Sequence, residues 1–166
     1  MYLKRFTSVS IVIIAFLYGL TAFAQDKFRV TVDFGKTLSQ LVSDGQYGWV
    51  APDINDKLFQ ISGSGVVQTN LVLVHLNRSA STQEVLDEIG KNNLVPASIE
   101  HLLAFGAIFS NEQIRYPIVA LGSVARITDG RLIVASLWRK GGQRILRRGW
   151  FENDWPSHIR FLAVQK

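Results

Sequence analysis

The segment from Val124 to Trp138 constrains the fold of this chain more than any other. Val124 to Thr128 and Arg131 to Trp138 are rich in β-branched and apolar residues, and Asp129-Gly130 lies between them. An Asp-Gly pair between two such runs is typical of the tight turn of a β-hairpin. Because a hairpin joins antiparallel strands, the segment predicts an antiparallel sheet in the C-terminal half of the chain.

Hydrophobic alternation predicts further strands on both sides of this hairpin. Lys27 to Phe34 alternates apolar and polar residues, which indicates a half-buried strand. Val66 to Leu76 predicts a long strand, and its apolar residues on both faces from Leu71 onward favour an interior position in the sheet. The other predicted strands are Lys57 to Ile61, Ile118 to Leu121, Arg144 to Trp150 and His158 to Val164.

Helical spacing of apolar residues predicts three helices among these strands. The first covers Thr37 to Ser43, the second begins at the capping box Ser81-Thr82-Gln83-Glu84, and the third covers Ile99 to Phe109. Strands and helices do not alternate regularly, which argues against a doubly wound parallel fold. The predicted class is α+β, a mainly antiparallel sheet with about three helices packed on it.

The first 24 residues have the organisation of a secretory signal peptide. Lys4-Arg5 precedes an apolar run from Val9 to Leu20, and Ala22-Phe23-Ala24 offers the small residues of a signal peptidase site. We expect cleavage after Ala24 and therefore a secreted or periplasmic bacterial protein. The alternative is a retained membrane anchor, since an apolar run of this length is close to the shortest that spans a bilayer.

Residues 25–166 are expected to form a single domain, because 48% of the chain is hydrophobic and no linker interrupts it. The absence of cysteine excludes disulfides, thiol catalysis, cysteine-based zinc sites and iron–sulfur clusters. His75, His101 and His158 do not stand at ligand spacing, so we predict no metal site. No glycine-rich phosphate loop is present, and we predict no cofactor.

Three segments resemble a family of small bacterial hypothetical proteins. They are Pro117 to Ser123, Arg160 to Val164 and Ile99 to Gly106. The resemblance covers Val30 to Lys166. It implies no catalytic residues, because the family has no established activity. Many members of that family lack a signal peptide, so a cytosolic protein with an uncleaved N-terminal helix is a third interpretation.

The basic and aromatic region near the C-terminus is the main functional candidate. It contains three of the four tryptophans, interleaved with arginine and lysine. Exposed aromatic rings stack on sugars or bases, and guanidinium groups bind carboxylates or phosphates. We therefore predict a binding domain that contacts an anionic envelope polymer or another protein; nucleic acid is not expected as a partner. The predicted contact residues are Trp138, Arg139, Lys140, Arg147, Arg148, Trp150 and Trp155.

The same pattern also fits core tryptophans flanked by a solvated basic edge strand. An envelope hydrolase is the alternative function, with Glu100 and His101 as its catalytic candidates beside an arginine. Burial separates these hypotheses. A solvent-filled cleft containing Glu100 and His101 favours the enzyme, whereas a sealed pair and exposed tryptophans favour the binding domain.

Overall fold

The computed structural model of the protein describes residues 27–166. The predicted signal peptide, residues 1–24, lies outside the described residues. The strands are β1 (Lys27–Asp33), β2 (Trp49–Val50), β3 (Val66–Val74), β4 (Ala80–Ser81), β5 (Leu94–Pro96), β6 (Ile118–Arg126), β7 (Leu132–Lys140), β8 (Gln143–Trp150), β9 (Asp154–Trp155) and β10 (Arg160–Gln165). The helices are α1 (Leu38–Asp44), α2 (Thr82–Lys91), α3 (Ile99–Ile108) and α4 (Glu112–Arg115).

Eight of these strands form one sheet in the order β1-β3-β10-β6-β7-β8-β2, with β5 paired to β10. All neighbours are antiparallel except β10 with β6 and β2 with β8, which are parallel. Strands β4 and β9 form a separate two-stranded sheet. The α+β class and the mainly antiparallel sheet are thus confirmed.

The predicted hairpin is the β6–β7 connection. Arg126 pairs with Leu132, and the N–H of Gly130 donates to the Ile127 carbonyl at 2.9 Å. Gly130 has a φ of 89°, a conformation that glycine adopts without a Cβ clash. The predicted strands Ile118 to Leu121 and Val124 to Thr128 join into the single strand β6, with a register shift between Val119 and Val124.

The sheet carries one apolar core on each face. Helices α1 and α3 cover one face, where Leu71 packs with Phe105 of α3. Helix α2 covers the other, where Val72 packs with Ile89 of α2. We call these the α1/α3 face and the α2 face. Because neighbouring residues of a strand point to opposite faces, strands buried on both faces are apolar at every position, as predicted for the second half of β3.

The helix predictions are confirmed, including the capping box of α2. The Ser81 hydroxyl accepts from the Glu84 N–H, and the Glu84 carboxylate accepts from the Ser81 N–H at 2.8 Å. A capping box formed by Thr37 and Gln40 also opens α1. The single-turn helix α4 is an addition to the prediction. No helix among residues 27–166 has the length and hydropathy needed to cross a membrane.

The strand predicted at Lys57 to Ile61 is wrong, because these residues belong to an irregular connection between β2 and β3. The Asn55 side chain donates to the Pro52 carbonyl at 2.7 Å and accepts from the Lys57 N–H at 3.0 Å. Such local side-chain bonds compete with pairing in a sheet. Phe59 is nevertheless buried in the core of the α1/α3 face. The apolar residue at this position is therefore explained by its burial and does not indicate a strand.

Candidate functional site

Strands β7, β8 and β2 meet at one corner of the sheet and set the directions of the candidate side chains. Trp138 of β7 pairs with Ile145 of β8, and Ile145 pairs in turn with Trp49 of β2. Residues opposite one another in neighbouring strands point to the same face, so these three side chains share the α2 face. Arg147 lies two residues beyond Ile145 and joins them on that face.

A cleft of about 900 Å³ lies at this corner, and we call it the corner cleft. Its lining combines an exposed indole, an aliphatic side chain, an amide, three cations and one carboxylate. These groups belong to Trp49, Ile145, Gln143, Lys140, Arg147, Arg148 and Asp53. The volume is within the range of small-molecule and oligomer binding sites.

The cations of the corner cleft differ in their partners. Arg148 forms an ion pair with Asp53. In the part of the chain that the structure describes, Lys140 and Arg147 pair with no carboxylate. The Arg147 guanidinium lies 4.6 Å from the centroid of the Trp138 ring, which holds the guanidinium by a cation–π contact. Lys140 and Arg147 therefore supply the uncompensated positive charge of the cleft.

Trp150 supports Arg148 from the α1/α3 face. Its ring lies between two guanidinium groups, 3.9 Å from Arg131 and 4.6 Å from Arg148. Arg131 is itself anchored, since its Nε donates to the Asp129 carboxylate at 2.7 Å. This bond holds the pKa of Asp129 below its usual range. Trp150 thus positions Arg148 and does not line the corner cleft.

The structure brings together only part of the predicted contact set. Lys140, Arg147 and Arg148 line the corner cleft, and Trp138 and Trp150 lie against two of these arginines. Arg139 is exposed but follows Trp138 directly, so its side chain leaves the sheet on the opposite face.

Trp155 is a core residue, which corrects its prediction as a contact residue. It is 4% exposed, and its indole N–H donates to the Thr82 hydroxyl at 2.8 Å. Its ring meets Phe161 edge to face at 5.8 Å. A side chain whose polar atom is satisfied and whose ring is enclosed offers nothing to a partner.

Sequence reasoning missed four of the seven lining groups named above: Trp49, Asp53, Gln143 and Ile145. Trp49 lies outside every strand and helix predicted from the sequence, yet it forms half of β2 and is 50% exposed. The sequence does offer one indication of this residue: Trp49 follows a glycine and is far along the chain from the other three tryptophans. The pairing of Trp49 with β8 could not be predicted from local periodicity, because β2 has only two residues.

Arg144 fixes the geometry beneath the corner cleft. Its Nε donates to Gln113 at 3.1 Å, and its two terminal nitrogens donate to the carbonyls of Gly45 and Gly106. The guanidinium thus joins the C-terminal ends of α1 and α3 to α4, where cations are favoured by the helix dipole. The ring of Tyr47 lies 5.1 Å below it, and burial raises the pKa of this phenol.

Glu100 and His101 do not share a solvent-filled cleft. Glu100 is fully buried, and its Oε1 accepts from the Ser62 N–H at 2.6 Å. His101 contacts the Ser98 hydroxyl through Nδ1 at 2.7 Å, and burial lowers its pKa. A carboxyl group enclosed in this way holds the segment before β3 against α3 and cannot meet a substrate. The geometry therefore gives no support to Glu100 as a catalytic group.

His75 lies near the segment that carries His158, because it contacts the carbonyl of Ser157, the residue before His158, at 2.7 Å. His101 instead contacts the Ser98 hydroxyl. Across residues 27–166, no three histidine, aspartate or glutamate side chains gather as a set of metal ligands.

The fold and the cleft define a class: a small α+β domain with a basic, tryptophan-lined cleft at one corner of a mainly antiparallel sheet. Comparisons with protein-family models, with curated proteins and with solved structures give no match to this chain. The resemblance to small bacterial hypothetical proteins stays a prediction. The corner cleft is accordingly interpreted from its own residues.

Proposed function

We propose that the protein is an exported binding domain that recognises an anionic partner in the corner cleft. The observation that carries the proposal is the pair of cations without carboxylate partners, Lys140 and Arg147, beside the exposed ring of Trp49. Export rests on the signal peptide predicted at residues 1–24. The partner class is an anionic polymer of the bacterial envelope or the acidic surface of another protein.

The electrostatics of the cleft support recognition of negative charge. A concave surface lined by one sign of charge focuses the field and raises the local concentration of opposite charge. The Arg147 guanidinium is already held by Trp138, so little side-chain freedom is lost when it meets a carboxylate or phosphate. Lys140 and Arg147 are both exposed, so their attraction is screened by salt.

A charge-removal experiment tests this function on the mature protein recovered after expression of the full chain. The variant Lys140→Ala/Arg147→Ala removes the two cations without touching the Asp53–Arg148 ion pair. Binding to immobilised polygalacturonate and poly-L-glutamate is measured from about 0.05 to 0.5 M NaCl. We expect at least one polymer to bind, and the variant to lose about tenfold in affinity at low salt with a flatter salt dependence.

The control variant Arg29→Ala/Arg139→Ala removes the same charge from exposed positions outside the cleft. If the two variants bind equally, net charge and not the cleft governs binding, and the proposal fails. Failure of the unaltered protein to bind either polymer at low salt also contradicts it. Arg148 is kept in both variants, because its loss would also remove the ion pair with Asp53.

A further inference from the structure

We infer that the partner in the corner cleft is an acidic glycan, a sugar chain with carboxylates on separate units, one ring of which stacks on Trp49. This inference rests on the proposed function and narrows its partner class. Four features of the cleft carry it: the support of the indole, the mixture of donors and acceptors, the spacing of the two unpaired cations, and the occupied edge of β8.

Trp49 is an exposed ring on a fixed backbone. The flanking Gly48 N–H donates to the Arg144 carbonyl at 2.8 Å, and the Ala51 N–H donates to the Leu146 carbonyl at 2.9 Å. The half of the indole that is exposed is therefore presented by a strand anchored on both sides. A rigid aromatic ring offers a large contact area at a low entropic cost, which suits the apolar C–H face of a sugar.

The polar groups of the cleft include acceptors as well as donors. Lys140 and Arg147 only donate, whereas the Gln143 amide does both and the Asp53 carboxylate only accepts. Hydroxyl groups can donate to Asp53 and accept from Gln143. A polyphosphate brings acceptors alone, and the side chains of polyglutamate also only accept, so both place negative charge against Asp53. A hydroxyl-rich chain with sparse carboxylates matches both kinds of group.

The two unpaired cations are attached at separate points along the cleft. Lys140 pairs with Gln143, and Arg147 lies four residues further along β8, which corresponds to about 13 Å of strand between the two backbone positions. Carboxylates on successive units of a sugar chain can meet cations that are spread along a strand in this way. The spacing therefore fits an oligosaccharide with carboxylates on different units.

The edge of β8 argues against a peptide added as a further strand. At Ile145 and Leu146, β8 pairs with β7 on one side and with β2 on the other. The main-chain groups that a bound strand would use beside the cleft are therefore already bonded within the fold. A peptide strand could add at Ile145 and Leu146 only by displacing β2, so recognition through side chains is favoured there.

The experiment titrates the mature protein with oligogalacturonate and oligoalginate long enough to span both cations. Fully methyl-esterified oligogalacturonate and poly-L-glutamate are the comparison ligands. The variants are Trp49→Ala, Trp49→Phe and the control Arg139→Ala, with thermal unfolding measured to show that each is folded. Binding is followed by calorimetry and by tryptophan fluorescence.

We expect an acidic oligosaccharide to bind, the esterified form to bind at least tenfold more weakly, and Trp49→Ala to lose about tenfold in affinity. Trp49→Phe should recover most of the loss, and Arg139→Ala should bind as the unaltered protein does. If poly-L-glutamate binds more tightly and independently of Trp49, the glycan inference is overturned while the proposed function stands. If no anionic ligand binds, both are overturned.

Discussion

At the scale of single residues, the arginines of this protein divide into two roles. Arg144 has a structural role, because its guanidinium donates hydrogen bonds to Gln113 and to two main-chain carbonyls. Arg147 is held by its contact with the Trp138 ring and by a hydrogen bond from its Nε to the Arg148 carbonyl at 3.3 Å, and it lines the cleft. Sequence alone does not distinguish them, since both lie on β8 among similar neighbours. Their roles differ because Arg144 points to the face covered by α1 and α3, whereas Arg147 points to the opposite face and lines the cleft.

Replacement of Arg144 by alanine is expected to lower the free energy of unfolding by about 3 kcal/mol. The change leaves the Gly45 and Gly106 carbonyls and the Gln113 amide oxygen without their shared donor. The free energy of unfolding of Arg144→Lys should lie between those of the unaltered protein and Arg144→Ala, because an ammonium group cannot reproduce the planar donor arrangement of the guanidinium. Urea unfolding measures the loss. A change in Arg144→Ala no larger than in the control Arg29→Ala, which alters an exposed arginine of β1, would contradict this role.

At the scale of elements, short-range chemistry accounts for the helix starts and the hairpin. Both capping boxes, Thr37 with Gln40 and Ser81 with Glu84, close within three residues. The Asp129-Gly130 turn is equally local. Elements of two to four residues, such as β2 and α4, carry no periodicity and form only because neighbouring elements supply their partners. This is why β2, which brings Trp49 to the site, escapes prediction.

The capping box of α2 predicts a pH-dependent stability. The Ser81 N–H, then the Ser81 hydroxyl and Arg78, bond to the Glu84 carboxylate and lower its pKa to about 2 from its usual value of 4.5. Because the folded pKa is the lower one, this stabilisation is present above about pH 4.5 and is lost as the pH falls toward about 2.

Glu84→Gln keeps a residue that can close the box but removes the charge. The melting temperature of the variant should lie below that of the unaltered protein at neutral pH. The two values should converge as the pH falls through this range. A difference that is constant with pH would show that the charge of Glu84 does not stabilise α2.

At the scale of the whole molecule, one sheet connects two cores. Helices α1 and α3 cover one face and α2 covers the other, so every central strand contributes to both. Leu103 of α3 and Ile89 of α2 lie in different cores because their helices cover different faces, although both side chains are fully buried. Because the cores share the strands between them, they are expected to unfold together.

Truncation of either core should therefore lower one common transition. Leu103→Ala and Ile89→Ala are each expected to cost about 2–5 kcal/mol through lost contacts and the cavity left behind. Far-ultraviolet circular dichroism and tryptophan fluorescence should report the same midpoint for each variant. Separate midpoints for the two probes in either variant would show that the faces are independent units.

The sequence alone was enough to predict the α+β class, the hairpin, three helices and the basic stretch that contributes Lys140, Arg147 and Arg148. These features depend on residues close together in the chain, where periodicity and turn chemistry act. The placement of Trp155 in the core, the enclosure of Glu100 and the arrival of Trp49 beside Ile145 came only from tertiary packing. The corner of the sheet is stabilised by hydrogen bonds between residues as distant in the chain as Arg144 and Gly45, which are 99 residues apart. Burial and strand pairing select such partners by their position in space. No local pattern encodes such a pairing.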